Sequence, residues 1–325
     1  MPKEITHRLI AGATASLLAD TPWKEPLAAC PNCLALGSVF HDILFYPAGP
    51  SAPKGFKNIA AVLHGRDGQD TFAVARRILA RVPAEDNPAP LLAFLAGIIT
   101  HIHADAVFHP LVYYLTGNDQ NPDPGKRDKA TAGHRCFETL VDLYFCGLEN
   151  VKKFSLTPVA RNLEAPAETL FTAAYENMPE AKGRKAELVA RTTACLKSFA
   201  KLHDIFARQG LASFMYAAYG LMPRKLKKNA ALFYAPRLLS FLPRLEREIT
   251  YQNPVTGEEQ RAELTTLFDR AVRMSADFCG LVSEVLAGRS RAKDLPKGPS
   301  LETGLVGPQP KPRFFSNQDF FAAKA

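Results

Sequence analysis

Two short stretches of this chain concentrate side chains that bind metal ions. The first is His101-Ile102-His103-Ala104-Asp105-Ala106-Val107-Phe108-His109, inside an apolar run over residues 91–115. At about 100° per residue, His101, Asp105 and His109 share one narrow arc of a helix, while His103 points away from it. Ionisable side chains on a stripe of an apolar helix are costly to bury unless something binds them, and a divalent cation does so. The second stretch is His134-Arg135-Cys136-Phe137-Glu138, an i,i+4 pair of ligands on one helical face. One such pair arises often by chance. Two of them, with His7, Asp42 and His64 upstream, form a stronger signal. Nitrogen and carboxylate ligands without thiolate point to a catalytic rather than a structural zinc. More ligands than one ion needs point to a cluster of the kind that clamps a phosphoester.

Helices must position these groups. Ile5, Leu9, Ala13 and Leu17 recur at helical spacing and predict a helix over residues 3–19, carrying His7. A second apolar helix is expected over 33–46, carrying Asp42, and His64 falls near the start of a further one running through Phe72, Val74, Ile78 and Leu79. The central helix follows at 91–115, and another opens near residue 133. Beyond it the pattern predicts helices over roughly 166–177, 184–209, 211–221, 229–241 and 258–288. Residues 47–57 and 117–128 are rich in Pro, Gly and polar residues and read as loops. No alternating strands and no internal repeat stand out, so the expected class is all-α. The organisation expected is a metal-bearing region over 1–150, a helical completion of the same domain over 151–292, and a Pro-rich tail over 293–325. That tail reads as an extended or partly disordered arm, whose Phe314-Phe315 and Phe320-Phe321 are free to dock.

The 325-residue chain is 47% apolar and 22% charged, an ordinary globular composition. No long apolar run lacks polar residues, so no transmembrane span is expected. The N-terminal residues show no basic segment followed by an apolar one, so no signal peptide and a cytoplasmic location are expected. Seven of the eight histidines lie before residue 135. Charge is uneven too: residues 1–150 hold 13 Lys/Arg against 15 Asp/Glu, and the remainder holds 27 against 17. An acidic, His-rich front and a basic back suit a cation site presented with an anion-attracting surface, although a solvated basic face reads the same way. The six cysteines are too scattered for a disulfide framework, and the lone Cys30-Pro-Asn-Cys33 reads as reduced thiols at a helix entry.

In its order of ligands the chain resembles the zinc-dependent phospholipase C and P1/S1 nuclease superfamily. The matching residues are His7, Asp42, His64, the His101-x-x-x-Asp105 pair, His109, and the His134-x-x-x-Glu138 pair, over residues 1 to about 150. Leu36-Gly37-Ser38 leading to Asp42, and His109-Pro110, look like the family's as well. The final Glu138 favours the phospholipase branch. The resemblance implies a multi-helical fold and up to three Zn2+ ions. His64, His101 and Asp105 would hold one, with Asp42 close by as ligand or general base. His109, His134 and Glu138 would hold a second. His7 and a bridging Asp105 would help hold a third. The family completes that third site with an N-terminal Trp; here the only Trp is Trp23, after His7, which makes the third ion the least supported.

Other readings compete. The His41-Asp42 doublet suggests an HD-type metal phosphohydrolase, which would leave both i,i+4 pairs unexplained. His103 and His203 read as structural. The basic run Arg224-Lys-Leu-Lys-Lys228, followed by Phe233-Tyr234 and Phe241-Leu242, suits peripheral contact with an anionic membrane, a nucleic acid, or an ordinary basic loop before a core helix. The function expected is zinc-dependent hydrolysis of a phosphodiester with Asp42 as the catalytic base. A phospholipid headgroup ranks before single-stranded nucleic acid as substrate, and an inactive metal-stabilised protein is the further alternative.

Overall fold

The computed structural model describes residues 3–46 and 56–322. Its helices are α1 (Glu4–Leu17), α2 (Lys24–Ala29), α3 (Pro31–Gly37), α4 (Phe56–Leu63), α5 (Ala73–Arg81), α6 (Ala89–Thr116), α7 (Pro124–Cys146), α8 (Leu156–Arg161), α9 (Ala167–Tyr175), α10 (Lys185–Phe206), α11 (Gln209–Ala217), α12 (Arg224–Ala230) and α13 (Leu264–Leu286). Short 3-10 turns connect several of them. The sheet content among the described residues is one antiparallel hairpin, β1 (Ile249–Gln252) with β2 (Glu259–Ala262). The class is all-α.

Helix α6 is the axis. Its apolar side chains run all the way round, so no face prefers water and the helix sits in the middle of the molecule. It is long and apolar enough to cross a membrane by composition, yet 89% of its most apolar window is buried within the protein, as a core helix should be. Pro90 lies in the first turn, where a missing N–H costs nothing, and Gly117 ends the helix at φ 91°. Two apolar cores lie along it. One gathers Phe40, Phe94, Phe171, Tyr175 and Phe199 around the first half; the other gathers Ile5, Phe108, Phe137, Tyr234 and Leu267 around the second. Side chains from before and after residue 150 share both.

Helix α3 crosses α6 backbone to backbone. A Cβ at Gly37 would lie 2.1 Å from the Phe94 carbonyl oxygen, and one at Gly97 would lie 2.2 Å from that of Leu34. Only glycine permits this approach. Past Gly37 the chain leaves the α-helix, and a 3-10 turn, Phe40–Phe45, carries His41 and Asp42. The continuous helix expected over 33–46 is therefore two elements.

Other boundaries also shift. The loop expected over 117–128 ends at Asp123, whose side chain accepts the Lys126 N–H at 2.9 Å and caps α7, with Pro124 in its first position. His64 follows the last residue of α4 instead of opening α5. The helix expected over 258–288 begins at Leu264, because Asn253 and Gly257 (φ 75°) turn the preceding chain into the hairpin. Residues 229–241 divide between the end of α12 and a 3-10 segment, Pro236–Arg244. The loop read over 47–57 lies almost wholly outside the described residues.

The tail is extended, as expected, but packed along the body. Leu301 is fully buried, and its N–H donates to the His64 carbonyl at 2.9 Å. Pro110 removes a helical hydrogen bond to the Ala106 carbonyl. Gly304 passes there so closely that a Cβ would lie 2.5 Å from that oxygen. Farther on, the Phe320 ring lies 5.0 Å from Phe137 and the Phe321 ring 5.2 Å from Phe241, edge to face.

Candidate metal centre

The middle of α6 presents His101, Asp105 and His109 on successive turns, spread over about 12 Å of helix axis. Neighbouring elements bring the rest. Helix α1 delivers His7, and its entry is fixed from α7: Asp142 accepts the Ile5 and Thr6 N–H groups at 3.2 and 2.8 Å and the Thr6 hydroxyl at 2.7 Å. These amides belong to the first turn, whose N–H groups have no partner inside the helix. The 3-10 turn after α3 delivers Asp42, the end of α4 delivers His64, and α7 delivers His134 and Glu138.

Three groups of ligand atoms result, each within 4.8 Å of one another: His7, His101 and Asp105; Asp42, His64 and His101; and His109, His134 and Glu138. All eight sequence-derived candidates thus belong to one of the three. The division differs in one respect. Asp105 lies between His101 and His7, with Oδ2 3.2 Å from His101 Nε2 and Oδ1 3.2 Å from His7 Nε2. Asp42 takes the place beside His64, with Oδ1 3.5 Å from its Nε2. His101 is the residue common to the first two groups.

The imidazoles are oriented for ligation. Backbone carbonyls hold the Nδ1 atoms of three of them: Ala60 for His64 at 2.7 Å, Ser38 for His101 at 2.9 Å, and Leu301 for His109. A carbonyl accepts, so each Nδ1 carries the proton and each Nε2 presents a lone pair when the ring is neutral. Those three Nε2 atoms are buried without a hydrogen-bond partner, as are both ring nitrogens of His7 and both Asp105 oxygens. Lone pairs facing carboxylate oxygens at such distances require a positive charge between them. Protons supply it poorly here. Burial, then the neighbouring His101, lowers the His7 pKa, and burial holds His109 and His134 well below the usual histidine value. His101 is the exception: burial opposes its protonation, but Asp105, Asp42 and the Ser38 carbonyl outweigh burial and raise it. The same exchange holds Asp105 well below the carboxylate range; burial alone would raise it, and His101, His109 and His7 overcome that. Divalent cations fit this donor set of neutral nitrogens and charged oxygens.

Over residues 2–186, more than half of its length, the chain matches the family model for zinc dependent phospholipase C. The chain belongs to the zinc-dependent phospholipase C family. No curated protein and no solved structure matches it significantly.

The remaining histidines have other surroundings. His103 points away from the stripe, beside Ser275 Oγ at 3.2 Å and between Phe72 and Phe278; burial pushes its pKa down to about 4. His203 is wholly buried, and its pKa likewise falls to about 4. His41 belongs to none of the three groups, so it shares no ligand set with Asp42, as an HD doublet would require. It is not remote, however. Its ring stacks on His101 at 4.6 Å, opposite His7, which stacks on the other side at 4.1 Å. Burial drives its pKa well below the usual value, so a neutral ring walls the centre. Its place beside Asp42 was the one signal that could have found it. The carbonyls of Ala60 and Leu301 had none, because backbone atoms carry no sequence signature.

Proposed function

We propose that this protein is a zinc-dependent phospholipase C, cleaving the bond between glycerol and phosphate in a phospholipid. The observation that carries the reading is the orientation of His64, His101 and His109: Nδ1 held by a backbone carbonyl, Nε2 aimed at buried ligand partners. Family membership supplies the substrate class.

In this reading Asp42, His64 and His101 hold one ion, with Asp105 shared toward a further ion beside His7. His109, His134 and Glu138 hold a separate one. Zinc bound there would polarise the phosphoryl oxygens and bring the pKa of a bound water to about 7. Asp42, whose Oδ1 lies 3.5 Å from His64 Nε2, would accept the proton of the attacking water. The Ala60, Ser38 and Leu301 carbonyls keep the imidazoles from turning during that transfer. His41, neutral and stacked on His101, excludes water from the back of the site. The rise of α6 sets His101 and His109 about 12 Å apart along its axis, so the ligand groups they belong to are separate.

The test is turnover of the purified chain on phosphatidylcholine vesicles and, separately, on a single-stranded oligonucleotide, each with and without a chelator. The reading expects diacylglycerol and a phosphorylated headgroup, lost on chelation and restored by zinc. Cleavage of the oligonucleotide alone would make the protein a nuclease. Zinc binding without turnover on either would leave a metal-stabilised structural protein.

A further inference from the structure

Helix α7 turns His134 and Glu138 toward the metal groups. On its other side, residues 125, 128, 129, 132, 133 and 136, Asp128 among them, line a cavity of about 400 Å³. The opposite wall comes from α11, the 3-10 turn Tyr219–Leu221, α12 and the 3-10 segment Pro236–Arg244, through Tyr216, Tyr219, Lys227, Arg237, Leu238 and Phe241, and Asp319 and Phe321 of the tail complete the lining. This wall lies beyond residue 186, where the family match ends.

The sequence of the wall is unusual in two independent ways. From Arg208 to Leu245 the chain carries seven Lys and Arg and not one Asp or Glu. The same stretch exposes five large apolar side chains: Leu211 (37%), Phe214 (66%), Leu221 (93%), Leu226 (48%) and Leu239 (36%). They are half of the ten exposed large apolar side chains among the described residues. Scattered singly, such side chains carry no message. Gathered on short elements packed against one another, in a stretch that has no carboxylate of its own, they do, although Lys228 is paired with Asp128 of α7 at 2.7 Å. Lys227 lies over the Tyr219 ring at 5.3 Å, so basic and apolar groups share one surface.

We propose that the face formed by residues 208–245 docks on an anionic lipid bilayer. Leu221 and Phe214 enter the boundary between headgroups and acyl chains, and the Lys and Arg side chains meet the lipid phosphates and carboxylates. Four of the five exposed groups are leucines, which gain from acyl chains and offer no ring for stacking on bases. The face is one helix away from the metal groups, so docking brings the bilayer to the site. The surface stands on its own exposure and charge, and it holds whether or not the metal groups catalyse phospholipid cleavage.

The test is sedimentation of the full chain with vesicles of phosphatidylcholine alone and of phosphatidylcholine mixed with phosphatidylserine, lipids being extracted afterwards to confirm that they are intact. Binding to the mixed vesicles is expected to exceed binding to the neutral ones at least tenfold and to weaken as salt is raised. Lys227→Ala and Arg237→Ala should each weaken it about fivefold. Phe214→Ser with Leu221→Ser should weaken it on the order of tenfold while leaving the melting temperature unchanged. Equal binding to both vesicle types, full retention by the Phe214→Ser/Leu221→Ser chain, or binding to a single-stranded oligonucleotide without binding to vesicles would each overturn the proposal.

Discussion

Nε2 of His7, on the first helix, lies 3.2 Å from Oδ1 of Asp105 at the centre of the molecule, and both side chains are wholly buried. The other oxygen of Asp105 faces His101 at the same distance. One carboxylate therefore serves two imidazoles from different elements, and its loss should be felt in both groups it joins.

Asp105→Asn keeps the shape but removes the charge. We expect zinc affinity at the His7/His101 side to fall at least about a hundredfold and turnover to fall with it. Binding at His109, His134 and Glu138 should survive. Glu138→Gln should do the reverse. Isothermal titration of zinc into each variant checks this, and two variants that lose the same sites would contradict the separation of the groups.

Removing metal should cost stability. Without a cation the Nε2 atoms of His64, His101 and His109 and both Asp105 oxygens are left buried without a hydrogen-bond partner. At free zinc about a thousandfold above the dissociation constant, each bound ion stabilises the folded chain by about 4 kcal/mol. Urea unfolding with zinc and with chelator measures it. Equal midpoints would mean that the groups do not hold metal.

The Gly37–Gly97 crossing links fold and site, because Ser38, next to Gly37, holds His101 Nδ1 at 2.9 Å. Gly97→Ala would push a methyl against the Leu34 carbonyl. We expect a loss of about 1–3 kcal/mol in stability, together with weaker zinc binding at the His101 groups only. Zinc titration and thermal unfolding of one variant check both.

His203 gives a pH dependence apart from the metal. Both its ring nitrogens are buried without a hydrogen-bond partner, and burial pushes its pKa down to about 4. The folded pKa is below the unfolded one, so between pH about 6.5 and about 4 the unfolded chain binds a proton that the folded chain does not. The stability associated with the neutral ring is present above that window and is lost as pH falls through it. Asp142, raised to about 6 by burial, acts in the opposite direction but equally in both chains compared. Metal-free wild type should therefore lose about 3 kcal/mol more than His203→Phe between pH 7 and pH 4. A difference that does not change with pH would mean that the ring is hydrated.

Much of the candidate site was legible because its chemistry repeats at helical spacing. The His101/Asp105 and His134/Glu138 pairs are local, and a period of 3.6 residues places each pair on one face whatever the tertiary fold. Grouping pairs with His7, Asp42 and His64 needed the order of ligands, since nothing local says that α1 and α4 converge on α6. That order put Asp105 with His64 and His101 and left Asp42 close by; the structure instead groups Asp42 with them and Asp105 with His7, since both carboxylates reach His101. Contacts made by backbone were not legible. The Leu301 carbonyl on His109 comes from a tail whose proline content suggested disorder, and it packs because Gly304 fits where Pro110 has opened the helix. The hairpin escaped for a related reason: its strands are four residues each, too short for alternation to stand out, and only the Asn253–Gly257 turn marked it.

Helix α6 is proposed to span separate metal groups, with His101 and Asp105 on one side and His109 on the other. Zinc per chain, measured by elemental analysis on protein passed through a desalting column after zinc loading, tests it most directly. At least two ions per wild-type chain are expected, with Glu138→Gln lowering the count by one. Fewer than one ion per chain would contradict it.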